Sequence, residues 1–398
     1  MIVDLHAHYP MHLVPAGKLS VWRLLSSRQE RRRLRDRIRA LLVGLASLFK
    51  NYRSLFSGPR IRIEYMREGG VNVALSVLFS FFDEFDILDS QQAKAGYIDS
   101  LVDQLDFVTD HVREKHRGQA FVATNPLALS GRGDDEVALV HCVEGGFHLG
   151  ATPAEVEESV ERLASRGVAY IILAHLIWRG VATDARAIPF LSDEVYDEWF
   201  PQPEEGLSDL GRAAVEAMVR EHVVIDLSHM SERSIEDTLD LLDRLDPAPH
   251  SVPVYVTHAG YRFGTQEYML SEASIKRIAA REGVIGLIFA RYQLEDGPPP
   301  GVPGHRLRLT KEKRFEDSFE TIRAHLDKIE KITGSHRFTA IGSDFDGFVK
   351  PTLAGLEDMR DMARLEAALK NHYGEETAKL ICSENALRPL RTYWRGSA

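Results

Sequence analysis

Eight short, almost uninterrupted apolar runs recur along the chain, at residues 2–8, 71–79, 138–144, 169–175, 223–229, 252–258, 284–289 and 338–344. They do not alternate apolar with polar side chains, so each reads as a strand buried on both faces, as in a parallel sheet covered by helices. Helix-like stretches lie between most of them. In "TPAEVEESVERLASRG", Thr152 suits an N-cap, Pro153 takes the first helical position and Gly167 stops the element. "SDLGRAAVEAMVREH" and "SEASIKRIAAREG" behave in the same way. Eight such units in 398 residues predict an α/β fold, a (β/α)8 TIM barrel formed as a single domain over residues 1–398. A doubly wound open sheet is the alternative. It wants a Gly-rich phosphate loop after an early strand, and none is found.

One segment departs from the repeat. A basic amphipathic helical insertion at about residues 18–62, after the first strand, contains "RQERRRLRDRIRALL". Leu34, Ile38, Leu41, Leu45, Leu48 or Phe49, and Tyr52 fall at helical spacing. The apolar stripe is expected to pack on the barrel or on a sister subunit in a homodimer. A helix lying on a membrane surface, or a lid over the site, is the sharper reading.

Charge and cysteine content exclude several classes. Lys plus Arg total 49 against 59 Asp plus Glu, a net charge of −10, so no broad basic face suits nucleic acid. Two cysteines, Cys142 and Cys382, build no disulfide framework. No stretch of about 18 apolar residues is present to span a membrane. The start "MIVDLHAH" has no signal-peptide pattern. A soluble, cytoplasmic protein is expected.

The ends of the apolar runs carry the chemistry. The first ends in His6-Ala7-His8, and residues two apart on a strand face the same way. Others end in Glu144, His175, His229 and His258, and the last in Asp344, followed by Phe345-Asp346-Gly347. Active sites of such barrels form at the C-terminal ends of the strands. Seven metal-competent side chains from six strands therefore converge on one rim. Taken singly, each has an ordinary explanation as a core histidine, a turn residue or a helix cap. Together, buried in a water-poor mouth, they cost free energy unless paired or bound to metal. Nitrogen and carboxylate ligands without thiolate favour zinc, with manganese, iron or cobalt as alternatives.

These residues sit in stretches that resemble the membrane (renal) dipeptidase family of the amidohydrolase superfamily. "VDLHAHYP", "RIEYMREGGVNVALSV", "VEGG", "ILAH", "GLSDLGRAAVEAMVREHVVIDLSHMS", "VPVYVTHAGYR", "AIGSDFDGF" and "SENALRPL" occur in the family's order, nearly end to end. The resemblance implies two divalent metal ions, one on His6, His8, Glu144 and Asp344, the other on Glu144, His229 and His258. It also implies a dipeptide or similar small amide as substrate, attacked by a hydroxide that bridges the metals. Asp344 would shuttle the proton, and His175 would stabilise the oxyanion.

The sequence also departs from the family. His8 stands where the family has aspartate, which removes a negative charge. The arginine that grips the substrate carboxylate is replaced by Tyr268 or Met269, with Arg262 near in sequence as a substitute. An Asn-rich run after His175 becomes "LIWRGVATDAR", in which Trp178 and Arg179 are expected to reshape the pocket. Three readings follow: a dipeptidase; the same machinery acting on an N-acyl amino acid, lactone or cyclic amide; and a non-catalytic metal-binding barrel.

Overall fold

The structure, a computed structural model, describes residues 1–13, 59–86, 92–133, 135–188, 191–297, 311–347 and 352–397. The insertion expected at about 18–62 therefore lies outside the described residues except for its last four. Its proposed contacts with barrel, partner or membrane lie outside them too.

The strands are β1 (Ile2–Ala7), β2 (Val71–Leu78), β3 (Ala120–Val122), β4 (Val137–Glu144), β5 (Tyr170–Ile172), β6 (Val224–Asp226), β7 (Val254–Ala259), β8 (Val284–Leu287) and β9 (Thr339–Ile341). All pairings among them are parallel. The order is β2-β1-β9-β8-β7-β6-β5-β4-β3, and a further β2–β4 pairing closes the ring. Eight strands thus form a closed barrel, and β3 is a short extra strand on β4, paired from Ala120↔Val137 to Val122↔Leu139. The barrel strands other than β2 are buried at every position, which is why their sequences are continuous apolar runs. In β2 only Asn72 is less than fully buried.

The helices start as their sequences dictate. Thr152 accepts a hydrogen bond from the Glu155 amide and Pro153 opens the helix Pro153–Ala164. Ser208, Ser231 and Ser271 cap Asp209–Glu221, Glu232–Leu245 and Glu272–Ala280 in the same way. Gly167 follows the first of these helices at φ 82°, and the Val168 amide returns to the Leu163 carbonyl. Among the described residues, no helix is long and apolar enough to cross a membrane.

The strands differ from expectation at their C-terminal ends. β5, β6 and β9 stop at Ile172, Asp226 and Ile341, so His175, His229 and Asp344 stand in the loops just beyond. The backbone there leaves the ladder. His229 and Asp344 take left-handed conformations, φ 64° and 54°. Such conformations are costly without glycine and concentrate at functional sites.

Candidate metal centre

Glu144, the last residue of β4, is the hub. Its Oε1 lies 3.4 Å from His6 Nε2, 3.3 Å from His229 Nε2 and 3.7 Å from His258 Nε2. Its Oε2 lies 3.4 Å from His8 Nε2 and 3.3 Å from His175 Nε2, and makes no hydrogen bond. Asp344 Oδ1 lies 3.2 Å from His8 Nε2 and 3.7 Å from His6 Nε2, likewise without a hydrogen bond. All seven side chains are buried. The structure thus brings together every candidate ligand and candidate catalytic residue that the sequence offered.

The imidazoles face one another. His6 and His8 Nε2 are 3.2 Å apart, and His229 and His258 Nε2 are 2.9 Å apart. Two nitrogens bound tetrahedrally to one zinc at about 2.0–2.1 Å stand roughly 3.3 Å apart. Three trios have mutually close ligand atoms: His6, His8 and Asp344; His6, Glu144 and His258; and Glu144, His175 and His229. The first falls within one expected ligand set. The last makes His175 geometrically competent as a ligand as well. Gly347 completes the cradle, since a Cβ there would collide with Asp344 Oδ1 and the His8 ring. Buried carboxylate oxygens without partners, facing imidazole nitrogens around a gap that only glycine leaves open, fit a pair of divalent cations.

Electrostatics sort the groups. Burial opposes ionisation of Glu144, yet His175 and His6 hold its carboxyl well below the usual range. Burial works against a charge on His175 too, but Glu144 and Glu84 push it up to about 9. Burial raises Asp344 to about 7 against the pull of His8. It lowers His6 to about 4 and drives His258 and His229 down.

The sequence profile of the membrane dipeptidase family (peptidase family M19) matches residues 39–394. The chain belongs to that family. It is 26% identical to the dipeptidase tcpJ of Claviceps purpurea over 251 residues, 62% of this chain and 49% of that protein. Alignments to this and other curated relatives cover 49% to 64% of the relatives' length. A metallo peptidase from Rhodobacter sphaeroides, liganded with a phosphinate mimic of L-Ala-D-Ala, aligns at TM-score 0.68 and 19% identity over 99% of each chain. The dipeptidase AC, a metallo peptidase of family M19, aligns at TM-score 0.68 and 21% identity over 99% of this chain and 98% of its own. At such identities the likeness is one of fold.

Other expected site residues of this dipeptidase-family chain have varied surroundings. The Tyr268 hydroxyl reaches the cluster, 3.4 Å from His229 Nε2, and donates to the His258 carbonyl at 3.2 Å. Arg262 is engaged elsewhere: Nη1 donates to Glu232 at 2.7 Å, Nε to the Met269 carbonyl at 2.7 Å and Nη2 to the Glu267 carbonyl at 3.1 Å. Trp178 is buried. Arg179 is buried against the rings of Tyr97 and Phe147 and donates to the carbonyls of Asp83, Glu84 and Gln92.

Several residues around the centre escaped sequence reasoning. Glu84 is fully buried, 2.7 Å from His175 Nδ1, and also accepts from the Leu176 amide. Asp184 accepts from the His175 amide at 2.6 Å. Asp226, Thr257 and Tyr170 lie behind the ligand rings. Each of these belongs to a stretch that reads as ordinary strand or turn. The only signal was a carboxylate inside an apolar run, as in "VIDLSH".

Proposed function

We propose that the chain is a binuclear metal-dependent hydrolase that cleaves a dipeptide or a similar small amide. The observation that carries this reading is the Glu144 carboxylate, with five imidazole nitrogens within 3.7 Å of its two oxygens. In the proposed assignment one ion is held by His6, His8, Glu144 and Asp344, and the other by Glu144, His229 and His258. The nitrogen and oxygen donor set favours zinc. Bound there, the two ions would supply a water acidic enough to ionise near neutral pH and would polarise a carbonyl.

The chain's own groups do the rest. Asp344, whose Oδ1 lacks a hydrogen-bond partner, takes the proton released as water attacks and delivers it to the leaving amine. His175, held by Glu84 and raised towards the cationic form, donates from Nε2 to the developing oxyanion. The Tyr268 hydroxyl and Trp178 border the substrate in this reading. A carboxylate grip by Arg262 would require it to leave Glu232. Homodimerisation and a cytoplasmic location are further parts of the proposal.

A second reading is favoured by one observation. The three guanidinium nitrogens of Arg262 already have acceptors, while an uncharged phenol meets the cluster. Such a wall suits an amide, lactone or cyclic amide without a free carboxylate. The zinc-reconstituted protein should be offered L-Xaa-L-Xaa and L-Xaa-D-Xaa dipeptides beside N-acyl amino acids and lactones, with Asp344→Asn as blank. Turnover of dipeptides that the blank lacks supports the first reading. Turnover confined to the other substrates supports the second. Two bound metals with no turnover at all would overturn both.

A further inference from the structure

The backs of two candidate ligand rings meet at one hydroxyl. Thr257 Oγ1 lies 3.0 Å from His258 Nδ1, 3.3 Å from His6 Nδ1 and 2.5 Å from Asp226 Oδ2. Asp226 is otherwise satisfied on its Oδ1, which accepts from the Ser228 amide and hydroxyl and from the Thr257 amide. All of these side chains are buried, so bulk water cannot stand in for any of them.

Counting protons fixes the tautomers. A threonine hydroxyl has one proton, and the short contact to a carboxylate oxygen takes it. Only lone pairs of Oγ1 are then left for the two rings, so each ring must carry its proton on Nδ1. Their Nε2 lone pairs therefore point into the Glu144 cluster. His6 has a second acceptor. The Tyr170 hydroxyl lies 2.9 Å from its Nδ1 and spends its own proton on the Leu5 carbonyl at 3.0 Å. His258 has Thr257 alone among the contacts described.

The hydroxyl is also held in place by the barrel. Gly286 and Gly342 flank the Thr257 carbonyl so closely that a Cβ on either would collide with it. Residue 257 therefore has little freedom to move between β7 and its neighbours on the β8 side.

We infer that Asp226 and Thr257 are positioning residues that set the tautomer and ring orientation of His6 and His258 together, and so join the two metal subsites through one hydroxyl. This rests on the metal centre proposed above. Groups behind a ligand commonly contribute about 10–100-fold to metal affinity. The contribution should be larger at His258, which has one acceptor, than at His6, which has two.

The test is zinc affinity, measured by chelator competition on the full chain, with the absorption spectrum of the cobalt-substituted protein as a second readout. Thr257→Val keeps the shape and removes the hydroxyl. It should weaken one of the two zinc ions by about 10–100-fold and change the cobalt spectrum. Thr257→Ser keeps the oxygen and should stay near wild type, as should Tyr170→Phe, which leaves Thr257 intact. If Thr257→Val does not fold, Thr257→Ala against Thr257→Ser makes the same comparison. Wild-type affinity and spectrum in the variant without the hydroxyl, or equal losses in the serine variant, would overturn the relay. A wild-type protein that binds no zinc would instead overturn the metal centre itself, and the relay with it.

Discussion

His175 Nδ1 and Glu84 Oε2 are 2.7 Å apart, with both side chains buried. The contact joins the loop after β5 to the short helix Phe81–Glu84 that follows β2. It is reinforced by the Leu176 amide on Glu84 Oε1 and by the Arg179 guanidinium on the Glu84 carbonyl. Burial resists a charge on His175, and Glu84 is one of the groups that reverses that effect. Glu84→Gln keeps the volume but removes the negative charge. We expect kcat to fall by roughly tenfold, an increment of about 1.4 kcal/mol. Bound zinc should stay at the wild-type stoichiometry if His175 is a donor to the oxyanion. Loss of zinc together with activity would mean that His175 is a ligand, as its closeness to Glu144 and His229 also allows.

Gly347 gives a test of the cradle that changes no candidate ligand. A methyl group there would enter the space between Asp344 and His8. Gly347→Ala should leave the circular dichroism spectrum unchanged, because the residue lies in a turn beyond β9. Elemental analysis of the purified variant should find less metal per chain, and turnover should fall at least as far. A variant with full metal content and normal rate would show that the gap beside Asp344 is not where the ion binds.

Much of this centre is legible in the sequence because the barrel imposes a simple rule: what ends an inner strand faces the mouth. His6 and Glu144 obey it within strands, His8 stands one residue past the end of β1, and His258 sits inside β7. His175, His229 and Asp344 face the mouth from the loops just beyond the strands, into which the apolar runs continue. The apolar character of "AYIILAH" reflects burial, which extends past the last ladder hydrogen bond, so the apolar run is longer than the strand. β3 was not recognised, since three residues carry no periodicity. Glu84, Asp226 and Thr257 were not recognised because a residue that supports a ligand has no spacing relative to it. Two of these contacts span the chain, Glu84 to His175 by 91 residues and Thr257 to His6 by 251, and Thr257 beside His258 reads as an ordinary strand residue.

His325 predicts an acid limit to stability that is independent of the metal centre. Its Nδ1 accepts from the Tyr261 amide at 3.0 Å and its Nε2 donates to the Leu294 carbonyl at 2.9 Å. Only the neutral ring can do both, and burial lowers its pKa to about 4. The unfolded chain takes up this proton near pH 6.5, the native chain only near 4. The contribution is therefore complete above about pH 6.5 and is lost as pH falls towards 4, amounting to a few kcal/mol on the order-of-magnitude scale of linkage. In metal-free protein, Tm should drop steadily from pH 7 to pH 4.5. The drop should be shallower in His325→Gln, and equal slopes would remove His325 from the account.

Arg262 separates the two substrate readings proposed above. Its three donors hold the turn between Tyr261 and Leu270 by way of Glu267, Met269 and Glu232. That turn carries Tyr268 to the cluster. Arg262→Ala should therefore act through Tyr268. The Glu232 pair is partly exposed and counts for little, while the two carbonyl bonds together contribute on the order of 1–2 kcal/mol. We expect a modest fall in Tm and a rise in KM that is similar for a dipeptide and for its C-terminal amide, because the lost element is the loop and not a charge. Tyr268→Phe, which removes only the hydroxyl, should reproduce much of the KM effect with less loss of Tm. Kinetics on the paired substrates check this directly. A KM increase of tenfold or so for the free carboxylate alone, about 1.4 kcal/mol, would show instead that Arg262 leaves Glu232 and grips the substrate.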